Sequence, residues 1–138
     1  MVDEFNPKHG AMATLNFSVA NAVTQATNVD LTLPGGNTVA VAPKAGSIIA
    51  VSVRASADLT AGSATLQVHK DSTELTETDA PTLTLSDTVQ EDYETIRPRA
   101  IRFAAGDGLG VSYSSSTDMA PTNTNDFDVQ LYVVYDPD

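Results

Sequence analysis

Phe127-Asp128-Val129-Gln130-Leu131-Tyr132-Val133-Val134-Tyr135 is the least ambiguous segment of the chain. Phe127, Val129, Leu131, Val133 and Tyr135 alternate with Asp128, Gln130, Tyr132 and Val134, a period of two that fits a strand with one buried face. Moving upstream, the same period returns in Leu109, Val111 and Tyr113, after the turn chemistry of Ala105-Gly106-Asp107-Gly108. It returns again in Leu83 and Leu85, and in Leu66 and Val68, which face in while Gln67 and His69 face out. The longest run in the first half follows Pro43-Lys44-Ala45-Gly46, with Ile49, Val51 and Val53 expected on one side and Ala50, Ser52 and Arg54 on the other. Val39 with Val41, and Val29, Leu31 and Leu33 before Pro34-Gly35-Gly36-Asn37, complete the series.

About eight strands at this spacing predict an all-β chain, a single antiparallel β-sandwich spanning residues 27–138. Residues 70–95 are rich in Thr, Asp and Glu and read as solvated connections, and strand character is expected to resume over Ile96 to Phe103, demoted to an edge by Pro98. Residues 1–26 are small and polar, with Phe5, Leu15, Phe17 and Val19 as scattered anchors. They read as an extended N-terminal arm that binds a neighbour, or as a frayed terminus, with one strand expected near Thr14 to Val19.

Composition narrows the function classes. The 138 residues carry 7 basic and 18 acidic side chains, a formal charge of -11, which repels phosphate backbones and anionic lipid; neither nucleic acid nor membrane is an expected partner. No stretch approaches the ~18 apolar residues of a membrane helix, and no export signal is visible before Pro7, so a soluble protein made in a cytoplasm is expected. Without cysteine there are no disulfides, thiolate metal sites or cysteine nucleophiles. With 6% aromatic residues and no Trp, the core must come mainly from Val, Leu, Ile and Ala.

Catalytic patterns are weak. His9 and His69 lie far apart in the chain, and Ser114-Ser115-Ser116 lacks a strained nucleophile elbow. Gly106 and Gly108 precede a strand instead of opening a helix, so they form no phosphate loop. Asp118, Asp126 and Asp128 lie close in sequence and are the best calcium donors available, but the spacing of a calcium loop is missing. The expectation is a protein that is not an enzyme and needs no cofactor. The most unusual charge pattern is Glu91, Asp92 and Glu94 followed by Arg97, Arg99 and Arg102. Arginine suits bidentate carboxylate pairing between subunits, and the alternative is local surface pairing of little energetic weight.

Two stretches carry a family likeness. GSIIAVSVRASADLTAGSATLQVHKDSTEL (46–75) and FAAGDGLGVSYSSSTDMAPTNTNDFDVQLYVVY (103–135) resemble bacteriophage virion β-sandwich proteins in their turn-and-strand order. The matching motifs are Leu59 to Thr65, the Gly106-Asp107 turn, and Met119-Ala120-Pro121-Thr122 before the last strand. The resemblance implies a jelly-roll-like structural component of the virion, of the capsid decoration (cement) or head-fibre type, commonly a homotrimer. On that basis the chain is expected on the capsid exterior, bound to itself and to a major capsid protein. Phe5, Leu15 and Phe17 would then serve as capsid-binding anchors, and Glu91, Glu94, Arg97, Arg99 and Arg102 as the subunit interface. The competing expectation is a tail-fibre or head-fibre module that binds a receptor or carbohydrate, with Tyr93, Tyr113 or Tyr132 stacking on sugars.

Overall fold

The alternating segments pair into two antiparallel sheets. The computed structural model describes residues 10–71, 73–75 and 80–137, and among them the chain forms eleven strands and no helix. In order they are β1 (Met12–Ala22), β2 (Val29–Asp30), β3 (Ala40–Val41), β4 (Gly46–Ala55), β5 (Ser63–Lys70), β6 (Thr73–Glu74), β7 (Thr82–Ser86), β8 (Glu91–Thr95), β9 (Arg102–Phe103), β10 (Gly108–Ser115) and β11 (Asn125–Tyr135). The first sheet has the order β1-β11-β4-β8, with β9 also on β4; the second has β2-β10-β5-β6, with β3 on β10 and β7 on β5. Three of the eight strand positions are thus split in two: β2 with β3, β6 with β7, and β8 with β9. Apart from the β5–β7 hairpin, each passage between positions crosses from one sheet to the other, which is the winding of a jelly roll.

Apolar side chains on the facing sides of the sheets make one core. Phe17 of β1, Val51 and Val53 of β4, and Phe127, Val129, Leu131 and Val133 of β11 meet Leu66 and Val68 of β5, Leu83 and Leu85 of β7, and Leu109, Val111 and Tyr113 of β10. Tyr113 stands edge-on to Phe127 at a centroid distance of 5.5 Å, and its hydroxyl accepts a hydrogen bond from Val23 N at 3.1 Å. A buried phenol needs such a partner.

The sandwich begins earlier than the sequence suggested. Met12–Ala22 is an eleven-residue strand paired with β11 from Met12↔Val134 to Ala22↔Asn125, so the arm boundary expected at residue 26 does not hold for residues 12–22. Phe17 is 1% exposed and Leu15 packs on the core. Period two was present here, but Ala13 and Val19 are weak apolar markers between Thr, Asn and Ser.

Strand β4 departs from its expected phasing. Tyr132 pairs with Ala50 and Val133 with Ile48, so one residue, Ile49, is extra on β4. This β-bulge puts Ile48 into the core with Val51 and Val53 and leaves Ile49 on the outside, where the alternation alone would have buried it. The acidic stretch before Thr95 is also a strand, β8, and residues 96–101 are the connection that follows it. An edge strand bonded only on one side tolerates charge. Val39 and Val41 both point outward (38% and 67% exposed) and leave Ala40 and Ala42 to face in.

Candidate functional site

The two ends of the sandwich differ in charge. At one end the connections 23–28, 56–62, 87–90 and 116–124 contain Asp58, Asp87 and Asp118 and no Lys or Arg. They are tied together by backbone bonds such as Thr88 N to Leu59 O and Thr60 N to Ala120 O. Buried Asn125 pins this end: its Oδ1 accepts from Ser56 Oγ (3.0 Å) and Ala57 N (3.1 Å), and its Nδ2 donates to Ala57 O (3.0 Å). The Asp126 carboxylate accepts from Asn21 N at 2.9 Å, Asp128 lies on the outer sheet face beside Gln130, and Asp118 stands in the connection after β10. These three are not gathered around a common point, and no group of three or more His, Cys, Asp or Glu among the described residues could hold a metal.

The opposite end holds Lys44, Lys70, Arg97, Arg99 and Arg102 on or beside the connections 42–45, 71–72 and 96–101. Arg102 is anchored within the chain: Nη1 and Nη2 donate to the two Asp136 oxygens at 2.6 and 2.5 Å, and Nη1 also reaches Ser47 Oγ at 3.1 Å. The bidentate hydrogen bonds to Arg102, with help from the charges of Arg99 and Lys44, hold the Asp136 carboxyl below its ordinary 3.8, and the same bonds raise Arg102. Lys70 Nζ donates to Arg102 O at 3.2 Å. Glu91 pairs with Arg54 of its own chain at 3.2 Å, both side chains well exposed, while Glu94, Arg97 and Arg99 are exposed. Within one chain Glu91 thus pairs with Arg54, ahead of the arginine run, and Arg102 closes the end of the sheet onto Asp136.

The outer face of the first sheet carries two shallow recesses. In the first, small Ala50 and Ser52 of β4 form a floor between Tyr132, Gln130 and Asp128 on β11 and Thr95, Tyr93 and Glu91 on β8. The Arg54–Glu91 pair stops one end, and the recess encloses about 460 Å³. Tyr93 is 76% exposed, and Tyr132 Oη donates to Gln130 Oε1 at 2.6 Å. Tyr113, expected as a possible sugar-stacking ring, is instead the centre of the core. The second recess, about 180 Å³, lies toward the basic end and is lined by Ile49, Val134 and Pro98 with Arg99 and Asp136 at its rim. Met12, 68% exposed, is the cross-strand neighbour of Val134.

On the outer face of the second sheet, residues 38–39 lie over β10, and glycine is what lets them. A Cβ on Gly110 would sit 3.0 Å from Thr38 O, and one on Gly108 only 2.5 Å from Val39 Cγ1. A recess of about 210 Å³ remains there, with His69, Asn28 and Asp30 in its lining. His69 Nε2 is 2.5 Å from the hydroxyl of buried Ser112, so His69 is a tethered part of this face.

One carboxylate spans the gap between the sheets. Asp92 Oδ2 accepts from Thr84 N of β7 at 3.0 Å and Oδ1 from Tyr93 N of β8 at 2.9 Å. Asp136 and Met12 were not singled out from the sequence, and Asp92 and Ile49 were read there in other roles, because register, not residue type, gives all four their positions. Phe5 and His9 lie outside the described residues.

No protein-family model matches this chain, and no curated protein matches it in sequence. Its fold does match solved structures. A chain of the cyanophage Pam1 capsid asymmetric unit is similar with a TM-score of 0.56 and 16% identity, over 94% of this chain and 87% of that one. A chain of the acid-stable capsid of Helicobacter pylori bacteriophage KHP30 gives 0.53 and 12%, over 91% and 89%. The vertex protein P5 of PRD1 gives 0.52 and 10%, over 89% and 96%. The expected all-β, jelly-roll-like sandwich is thus the architecture found, and it is shared with proteins of viral shells.

Proposed function

We propose that this protein is a structural component of a phage virion, a capsid decoration (cement) protein that binds the outer surface of the head and stabilises contacts between major capsid subunits. The observation that carries this reading is that the two-sheet fold fills almost the whole chain and is similar, over nearly their whole length, to chains of phage capsids and a phage vertex. A molecule of this kind acts by mass action: what binds only the assembled shell shifts the balance away from rupture. Catalysis is no part of the reading. Carboxylates with partners in the fold serve it: Asp136 holds Arg102, Asp92 the strand edges and Asp126 the backbone of Asn21.

In this proposal the protein is made in the host cytoplasm and assembles as a homotrimer on the capsid exterior. Glu94, Arg97 and Arg99, all exposed, are the interface candidates kept in this proposal, while Arg102 pairs with Asp136 and Glu91 with Arg54. Of the proposed capsid anchors Phe5 is retained, whereas Leu15 and Phe17 serve the core. A second reading, a tail-fibre or head-fibre module that binds a receptor or carbohydrate, is favoured by one observation: the recess over Ser52 walled by exposed Tyr93. Gold-labelled antibody on intact particles separates the two. Many copies spread over the head are expected, and a few copies confined to the tail would sink the decoration reading in favour of the fibre.

A further inference from the structure

The margins of the two sheets are not equally protected. β8 carries Glu91, Asp92 and Glu94, and Asp92 accepts from N–H groups of β7 and β8. β2, β3 and β6 are two residues long and β7 is five. Charge, capping and shortness are the means by which natural sheets block strand addition. β1 has none of them. It runs for eleven residues at the end of its sheet, and no charged residue, proline or glycine occurs from Ala11 to Asn28.

Register identifies the backbone groups left over. Tyr135 N donates to Ala11 O, while Ser18 exchanges both its backbone bonds with Thr32, on the side away from β11. Such directions alternate along an antiparallel strand, so the N–H and C=O of Met12, Thr14 and Asn16 point off the sheet. Among the described residues, no backbone group meets them. On the core side of the same segment Ala13 and Leu15 are only partly buried, because no strand flanks them there.

Charge selects the occupant. β1 and β11 together hold two carboxylates, Asp126 and Asp128, and no Lys or Arg. Neither margin of a second copy's first sheet brings a cation, since its β1 is uncharged and its β8 acidic. A basic strand is the complement of this edge. We propose that β1 binds an extended basic segment of another protein by strand addition. Apolar residues at alternate positions of that segment cover Ala13 and Leu15, and its Lys or Arg residues lie on the outer face with Asp128. That the segment belongs to a major capsid subunit rests on the decoration reading; the edge chemistry does not.

Thr14→Pro tests the edge itself. The Thr14 N–H points off the sheet and its side chain is exposed, so proline removes one outward donor and spares the β1–β11 ladder. The probe is a short synthetic peptide in which valine alternates with lysine, added to the isolated full chain and followed by amide hydrogen exchange. Exchange at Thr14 and Asn16 is expected to slow on binding, and affinity to fall about five- to tenfold in Thr14→Pro, the worth of one backbone bond. With wild-type protein, the peptide N-methylated at alternate amides and the peptide with glutamate for lysine are both expected to bind more weakly. Absence of binding, binding undiminished by Thr14→Pro or N-methylation, or equal binding of the glutamate peptide overturns the proposal. So does protection of Thr14 and Asn16 before peptide is added: if independent of protein concentration, the chain covers its own edge, and if rising with it, a second copy does. The decoration reading is tested on particles and this one on isolated protein, so either can fail without the other.

Discussion

Phe17 shows how much one side chain decides. It is one of four phenylalanines in the chain and sits 1% exposed opposite Val129, in the middle of the β1–β11 pairing. Truncation to Ala leaves a cavity that neighbouring strands cannot fill, so Phe17→Ala should cost about 3–5 kcal/mol in urea unfolding. A loss below about 1 kcal/mol would mean that β1 is dispensable to the core. Asp136 makes a pH-dependent contribution instead. Its carboxyl ionises below the ordinary 3.8 because Arg102 donates two hydrogen bonds to it. The folded state therefore binds that proton less readily than the unfolded chain, and the stabilisation is present above the ordinary value and lost as pH falls through the lowered one. Relative to Asp136→Asn, the wild type should be more stable at neutral pH, with the difference vanishing as the pH is taken below 3.8. A difference that persists in acid would show that charge is not its source.

At the scale of elements, the strands read correctly are those whose apolar alternation runs unbroken over many residues, β10 and β11 above all. Those misread owe their state to a neighbour. β8, with the sequence Glu91 to Thr95, is a strand because β4 offers it a ladder; nothing in its composition says so. The phasing of β4 was legible from Ala50 onward and wrong at Ile49, since a bulge leaves no mark in the order of apolar residues. Asp92 looks like one more surface carboxylate in the sequence, yet it occupies outward N–H groups of both β7 and β8. Unpaired edge donors invite pairing with another chain. Asp92→Ala should speed amide exchange at Thr84 and Tyr93 by roughly five- to tenfold, the equivalent of about 1 kcal/mol for each lost bond. It should also raise light scattering on storage, and Asp92→Asn, which keeps one acceptor, should behave between the two. Unaltered exchange at both amides would remove Asp92 from this role.

For the molecule as a whole, the class of fold was legible because alternation is local, while the winding of two sheets was not, because pairing such as Met12 with Val134 joins the ends of the chain. The same distance in sequence hid the basic end, which gathers Lys44, Lys70 and Arg102 from three separate segments around Asp136. One consequence follows from the ring pair at the centre. The chain has no tryptophan and four tyrosines; Tyr113 is held edge-on to Phe127 between the sheets with its hydroxyl fixed by Val23, and Tyr135 stands edge-on to Phe103. Tyr93, by contrast, stands in solvent. Near-ultraviolet circular dichroism depends on immobilised aromatic rings, so the protein carries a built-in optical reporter of sheet-to-sheet contact that no added fluorophore is needed to read.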